Sequence, residues 1–269
     1  MLEAYSNHFL VFLMAVLRIG GLLLLVPLAV PVRIGLPLRI LMAVMLATLV
    51  APLGDPQSVQ PLLSDGSALI VAGCREAILG LVLGTIVWVL IGALQAGGQM
   101  VGQSSGMSLA EFAGGSDSGP GQGYGRLFGL VAVATLLLTG GHHRVLAALL
   151  DTFRWMPPGR VGFSNGPVQL LIEVAGQGFT LAVRATAPVL VALLLSALVL
   201  GILQRVIPQL NTLSLGFSVN TLGVLALVVL TLGGVAWSFQ NQLEVALDGL
   251  GQAVQRQVVR ERSGEAADE

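Results

Sequence analysis

Three long runs of this chain contain no Asp, Glu or Arg side chain. They cover residues 77–110, 185–204 and 206–243 and are 34, 20 and 38 residues long, and the run Phe9 to Pro31 is interrupted only by Arg18. A helix needs about 20 apolar residues to cross the hydrocarbon core of a bilayer. Backbone groups in lipid must pair within their own segment, and the alternating pattern of a membrane barrel is absent. The runs therefore predict membrane-spanning helices.

The composition excludes a water-soluble globule. Hydrophobic residues make up 55% of the chain and charged residues 10%, and the mean hydropathy is +0.87, far from the values of soluble domains. All 13 basic residues are Arg and 14 acidic residues balance them, so nucleic acid is not an expected partner, whereas membrane lipid is. The single Cys74 excludes an intrachain disulfide. The predicted fold class is an all-α, polytopic integral membrane protein of long hydrophobic helices.

Clusters of Pro, Gly and polar residues divide the chain between these helices. The breaks lie at Pro31–Pro37, Gly54–Gly66, Gly114–Gly125, Met156–Pro167 and Arg205–Asn211. Two apolar stretches, Leu38–Leu53 and Leu127–Gly141, are short for free spans. The polar tail from Arg256 is expected to be exposed.

Several charged residues lie within or at the edges of apolar segments: Arg18, Arg75, Glu76, Glu173 and Arg184. At a helix centre that faces lipid, each would cost about 2.5 to 3.5 kcal/mol. Glu173 and Arg184 share one helix face but lie about 16 Å apart along the axis, too far to pair. Their partners are predicted on other subunits; the alternatives are other helices of the same chain or snorkelling at helix ends.

A polar stripe and a glycine stripe run along the segment QAGGQMVGQSSGMSLA. Gln95, Gln99 and Gln103 recur every four residues, and Gly98, Gly102 and Gly106 do so beside them. Amide side chains turn away from lipid, and small residues favour close helix packing. Two interpretations stay open, a buried interhelical amide ladder and a face that lines a wet lumen.

The segment EFAGGSDSGPGQGYG, residues 111–125, is too rich in Gly, Ser and Pro to hold a helix and is predicted to be a loop. It either moves into and out of a passage or is an ordinary connector. No nucleophile, phosphate-binding or metal motif is visible, and the adjacent His142 and His143 are expected to have separated rings and no metal. The chain is expected to be no enzyme and to carry no cofactor.

Four segments, taken in order, resemble one family of membrane proteins. They are REAILGLVLG from Arg75, AGGQMVGQSSGMSLA from Ala96, TGGHHRVLAALLDTFRWMPPG from Thr139 and APVLVALLLSALVLGILQRVIPQLNTLSLGF from Ala187. Together they resemble the FliR family of type III export-gate proteins over nearly the whole chain. PQLN, residues 208–211, followed by Gly216-Phe217, is the most specific element, and with GMSLA it is more similar to the flagellar branch.

This resemblance implies a core subunit of the flagellar export gate in the inner membrane of the flagellar basal body. With P-type and Q-type membrane subunits and other export-apparatus proteins, it would form the passage for unfolded export substrates. It also implies a P-type part over residues 1–166 and a Q-type hairpin over 167–255 that turns at 205–211. The polar tail then covers 256–269.

The resemblance also implies a plug formed by the loop 106–125, although the family's usual Asp-Pro is replaced here by Asp117-Ser118-Gly119-Pro120. The implied residues of the gate and plug loop are Met100, Gly106, Met107, Glu111, Phe112, Gly114, Gly115, Asp117, Pro120 and Gly125. The predicted subunit contacts are Arg75, Glu76, Gln95, Gln99, Gln103, Glu173, Arg184, Pro208, Gln209 and Asn211.

Three alternatives differ in function. An equivalent subunit of a virulence secretion system is the nearest one, and a purely structural scaffold of the export complex is the second. A small-solute transporter is the third, and it fails because the chain has no inverted repeat.

Overall fold

A computed structural model describes residues 2–29, 35–54, 56–63, 66–105, 122–159, 166–206 and 212–265. Within these ranges every regular element is helical, which confirms the all-α prediction. The α-helices in the described residues are α1 (Leu2–Ala29), α2 (Leu36–Val50), α3 (Gly66–Ser104), α4 (Gln122–Leu138), α5 (Gly141–Trp155), α6 (Gly166–Val206) and α7 (Thr212–Glu265). Short 3-10 helices at Ala51–Leu53 and Pro56–Leu63 lie between α2 and α3.

The helix ends agree with the predicted breaks. α1 ends at Ala29 and α2 begins at Leu36, and α5 ends at Trp155 before α6 begins at Gly166. One detail differs, because α4 begins already at Gln122, inside the predicted loop. The polar tail predicted from Arg256 begins inside α7, which continues to Glu265. Residues 256–265 include good helix formers and no proline, so α7 continues beyond the apolar run.

Three helices are long and apolar enough to cross a membrane within the described residues. The segments are Ser6–Leu25, Gly66–Ser104 and Gln169–Val199. The pair Gly123–Leu138 and Gly141–Trp155 is bent by 67° and counts as a fourth span if it crosses as one. The protein is therefore an integral membrane protein with several spans.

The chain forms two compact units. The first contains residues 1–89, 137–175 and 243–269, and the second contains residues 90–136 and 176–242. The predicted division at residue 166 rests on resemblance to other proteins and not on contacts within the chain. It stays a prediction.

In the first unit, glycines bring the backbones of α1 and α3 into contact. A Cβ atom at Gly80 would collide with the backbone carbonyl of Arg18, and one at Gly84 would lie 2.9 Å from the carbonyl oxygen of Leu22. Gly21 of α1 faces the backbone of Ala77 and Leu81 in the same way. This close approach, which small residues allow in membrane helices, places Arg18 beside the first half of α3.

Among the described residues, much of the apolar surface is not covered by the rest of the chain. Only 28% of the apolar window Gln169–Val199 in α6 is buried. Leu194, Leu195 and Leu198 are exposed on this helix. Apolar patches this extensive are covered by lipid or by other proteins.

Candidate functional site

An ion pair lies in the core of the first unit. Arg18 on α1 and Glu76 on α3 are both fully buried, and the Arg18 Nε donates to a carboxylate oxygen of Glu76 at 2.5 Å. The guanidinium carbon also lies 4.2 Å from the ring centroid of Phe153, a cation-π contact. Two of the five charges that lipid would reject, Arg18 and Glu76, therefore neutralise each other inside the chain.

The same pair holds the end of α5 and the turn that follows it. Arg18 donates to the Thr152 hydroxyl at 3.3 Å and, through both terminal nitrogens, to the carbonyl oxygen of Met156 at 3.2 Å. The second carboxylate oxygen of Glu76 accepts the backbone N–H of Gly159 at 2.9 Å. Gly159 has a φ of 85°, a conformation that favours glycine. One buried pair thus joins α1, α3 and the turn after α5.

A further hydrogen bond fixes this turn from another side. The hydroxyl of Ser58, which is buried, donates to the carbonyl oxygen of Pro158 at 2.9 Å. The Val11 side chain and a Pro158 ring carbon lie within 4 Å of the position that a Cβ on Gly54 would take. The turn Met156–Gly159 is therefore bound to three other parts of the first unit.

These contacts correct one prediction. Glu76 was expected to contact another subunit, but it is fully buried and both of its oxygens bond within the chain. Arg75 is exposed on a neighbouring face of α3, as expected for adjacent helical residues. Its assignment as a subunit contact stays a prediction.

In the second unit, Gln95, Gly98 and Gln99 of the two stripes on α3 contact α4. A Cβ atom at Gly98 would lie 2.7 Å from the carbonyl oxygen of Tyr124, so the two backbones are close. In the other direction, Gln95 packs on Gly125 and Gly129, and the Gln99 side chain packs on Gly125. The amide face near Gln95 is therefore occupied by the chain's own α4.

This packing corrects one further prediction. Gly125, expected in the gate loop, lies inside α4 and is buried against α3. Gln95 is half-buried and packs on α4, and its assignment as a subunit contact stays a prediction. In both cases a glycine accommodates the bulky amide of the facing helix, which the single-helix pattern did not show.

The other predicted residues within the described ranges are exposed. Met100 is 48% exposed near the end of α3, and Gln99, Gln103, Glu173 and Arg184 are also exposed. Their surfaces are open to partners, so their roles stay predictions. The remaining predicted residues lie outside the described residues: Gly106, Met107, Glu111, Phe112, Gly114, Gly115, Asp117, Pro120, Pro208, Gln209 and Asn211.

His142 and His143 lie in the first turn of α5. Their ring centroids are 4.0 Å apart, so the expectation that helix geometry separates the two rings is wrong. In the described part of the chain, no group of three or more His, Cys, Asp or Glu side chains is arranged to hold a metal ion.

Sequence reasoning missed the residues that lock the helices together. Gly80 and Gly84 on α3 and Gly125 and Gly129 on α4 both have the small-xxx-small spacing of close helix packing. That spacing could have predicted these close helix contacts. Thr152 and Gly159, by contrast, carry no pattern that predicts their contact with the buried pair.

Comparison with known proteins places the chain in a family. The family model described as bacterial export proteins, family 1, matches residues 9–246. The chain belongs to this family. Its relatives include the flagellar biosynthetic protein FliR of Caulobacter vibrioides, which is 25% identical over 92% of this chain and 99% of its own length.

Two further relatives carry the same name. The flagellar biosynthetic protein FliR of Pectobacterium carotovorum is 26% identical over 73% of this chain and 75% of its own length. That of Bacillus subtilis is 28% identical over 53% and 56%. The resemblance to the FliR family that the sequence motifs indicated is thereby confirmed.

Proposed function

We propose that this protein is a non-enzymatic core subunit of the flagellar type III export gate in the bacterial inner membrane. The observation that carries the proposal is the family match over residues 9–246, together with flagellar relatives matched over up to 99% of their length. With P-type and Q-type subunits and other export-apparatus proteins of the basal body, it forms the passage for unfolded flagellar substrates. No chemistry at a cofactor is required of it.

The uncovered apolar surface supports an assembled role. In α6, the apolar segment Gln169–Val199 is 31 residues long and exposes Leu194, Leu195 and Leu198. At about 1.5 Å per residue such a segment is roughly 46 Å long, about one and a half times the thickness of the hydrocarbon core. Lipid alone does not cover its full length, so partner subunits are the natural cover for the remainder.

We further propose that the predicted loop after α3 helps to close the passage. Its residues lie between α3, which ends at Ser104, and α4, which begins at Gln122. Close packing at Gly98 and Gly125 fixes these two helices to each other. A glycine-rich segment between two helices that are fixed in this way has the tether that a plug needs, and the exposed Met100 supplies an adaptable apolar contact at the end of α3.

Deletion of residues 114–121, which stops before the first residue of α4, tests this closing role. We expect small ions to leak across the inner membrane while the export complex still assembles, because the deletion removes the plug but neither flanking helix. Ion leakage, swimming motility and assembly of the complex are measured in the same cells. Replacement of the same residues by a Gly-Ser segment of equal length is the matched control and is expected to leak less.

The same experiment separates gating from scaffolding. Intact sealing together with normal swimming in the deletion strain would contradict the closing role and leave the protein as a scaffold of the export complex.

Deletion of the whole gene distinguishes the flagellar system from a virulence system. Loss of flagella with unchanged secretion by any other type III system is the result that the flagellar assignment requires.

A further inference from the structure

A groove with a volume of about 630 Å³ lies between α5 and α7 within the first unit. One face of α5 lines it from Arg144 to Trp155, and α7 lines it from Glu244 to Gln255. Ala147 and Ala148 are among the lining residues, and their short side chains leave the space between the helices open. The volume falls in the range of sites that bind ligands or side chains of partners.

Two contacts define the ends of this groove. At one end Arg144 of α5 donates to the carboxylate of Glu244 of α7. At the other end the Trp155 ring lies against Gly251, where an added Cβ would be 3.1 Å from the ring edge. The two helices are thus held at both ends and stay apart between them.

Among the described residues, the lining of the groove carries a net negative charge. It contains the carboxylates of Asp151, Glu244 and Asp248 and one guanidinium, that of Arg144. Glu244 is paired with Arg144, and Asp151 has a long contact of 3.5 Å with the exposed Arg154. Within the described residues no ion pair reaches Asp248, which is exposed.

We propose that this groove docks a basic segment of a partner protein. The arginine or lysine head group lies between Asp151 and Asp248, and its aliphatic stem packs on the Trp155 ring. A carboxylate beside an aromatic face is the pairing that binds guanidinium and ammonium groups. Anionic lipid head groups are disfavoured as occupants because the carboxylates repel them. The neighbouring amides of Gln252 and Gln255 add hydrogen-bonding capacity for the partner's backbone.

A titration of the purified full-length chain in uncharged detergent tests the inference. Trp88 and Trp237, both exposed, are replaced by phenylalanine so that Trp155 alone reports through its fluorescence. The probes are a short alanine-based peptide with two arginines four positions apart and the same peptide with glutamates instead. We expect a saturable Trp155 response to the arginine peptide that weakens with added salt, and none to the glutamate peptide.

Two substitutions in the groove sharpen the test. Asp248→Asn is expected to weaken binding of the arginine peptide about fivefold, the upper range for one partly exposed ion pair. Gln252→Glu adds a carboxylate and is expected to tighten it, a gain that misfolding does not produce. Val245→Asn, at an exposed position outside the groove lining, is the matched control and leaves binding unchanged.

Equal responses to the two peptides would overturn the inference, as would equal affinity of the Asp248→Asn and parent proteins. The titration needs no other export protein. Its outcome is therefore independent of the proposed export function, and failure of one leaves the other standing.

Discussion

Replacement of Arg18 by methionine is expected to lower the free energy of unfolding by about 3–5 kcal/mol, because it leaves the Glu76 carboxylate buried without its partner. Both side chains are fully buried and joined at 2.5 Å. The substitution also removes the donors to Thr152 and Met156. Unfolding of the purified protein by a denaturing detergent, at one protein concentration, measures the loss.

The chain offers a matched control at the same end of α5. Arg154 and Asp151 form an exposed pair at 3.5 Å, with 74% and 40% of their side chains exposed. Arg154→Met is expected to change stability by no more than about 0.5 kcal/mol, as is usual for exposed helical pairs. Equal losses of stability in Arg18→Met and Arg154→Met would contradict the explanation that Arg18→Met leaves the Glu76 carboxylate buried without its partner.

A double variant separates the charge from the packing. Arg18→Met combined with Glu76→Leu removes both charges and is expected to recover a large part of the loss, because two apolar side chains replace an ion pair at little cost in a dry core. The backbone N–H of Gly159, which loses its acceptor, limits the recovery. If the double variant is less stable than Arg18→Met alone, the hydrogen bonds to the turn matter more than the charge.

The sequence was sufficient for the helices and their breaks because hydrophobic runs and Pro or Gly clusters are local properties. It also indicated that Arg18 and Glu76 needed partners away from lipid. It did not indicate which partners, because Arg18 meets Glu76 at a separation of 58 residues and Thr152 at 134. Such pairing depends on how the helices pack, and a single sequence carries no direct record of that.

The polar stripe on α3 also shows which features the sequence predicts and which depend on helix packing. Its amide side chains were expected to avoid lipid, and Gln95 does so. The surface that it packs on within the chain is Gly125 and Gly129 of α4. A helix pattern tells which face is polar, whereas the identity of the neighbour requires the pattern of the second helix as well. The glycine spacing on α4 was that second pattern.

Alanine substitutions at three glycines of α3 are expected to separate close helix packing from helix propensity. Gly80→Ala places a methyl group against the α1 backbone at Arg18, and Gly98→Ala places one 2.7 Å from the carbonyl oxygen of Tyr124. Backbone atoms cannot move aside as a flexible side chain does. Each variant is therefore expected to lose about 1–3 kcal/mol of stability, the usual cost of overpacking.

Gly92 is the control on the same helix, since a Cβ atom there would meet nothing within 4 Å. Gly92→Ala is expected to be neutral or to stabilise the protein by at most about 1 kcal/mol, because alanine favours helix more than glycine does. The same detergent unfolding assay compares the three variants. Because Gly80 lies in the first unit and Gly98 in the second, loss at both positions with none at Gly92 assigns glycine-mediated helix contact to each unit separately. Equal changes in stability at all three positions would instead indicate that these glycines act through helix flexibility.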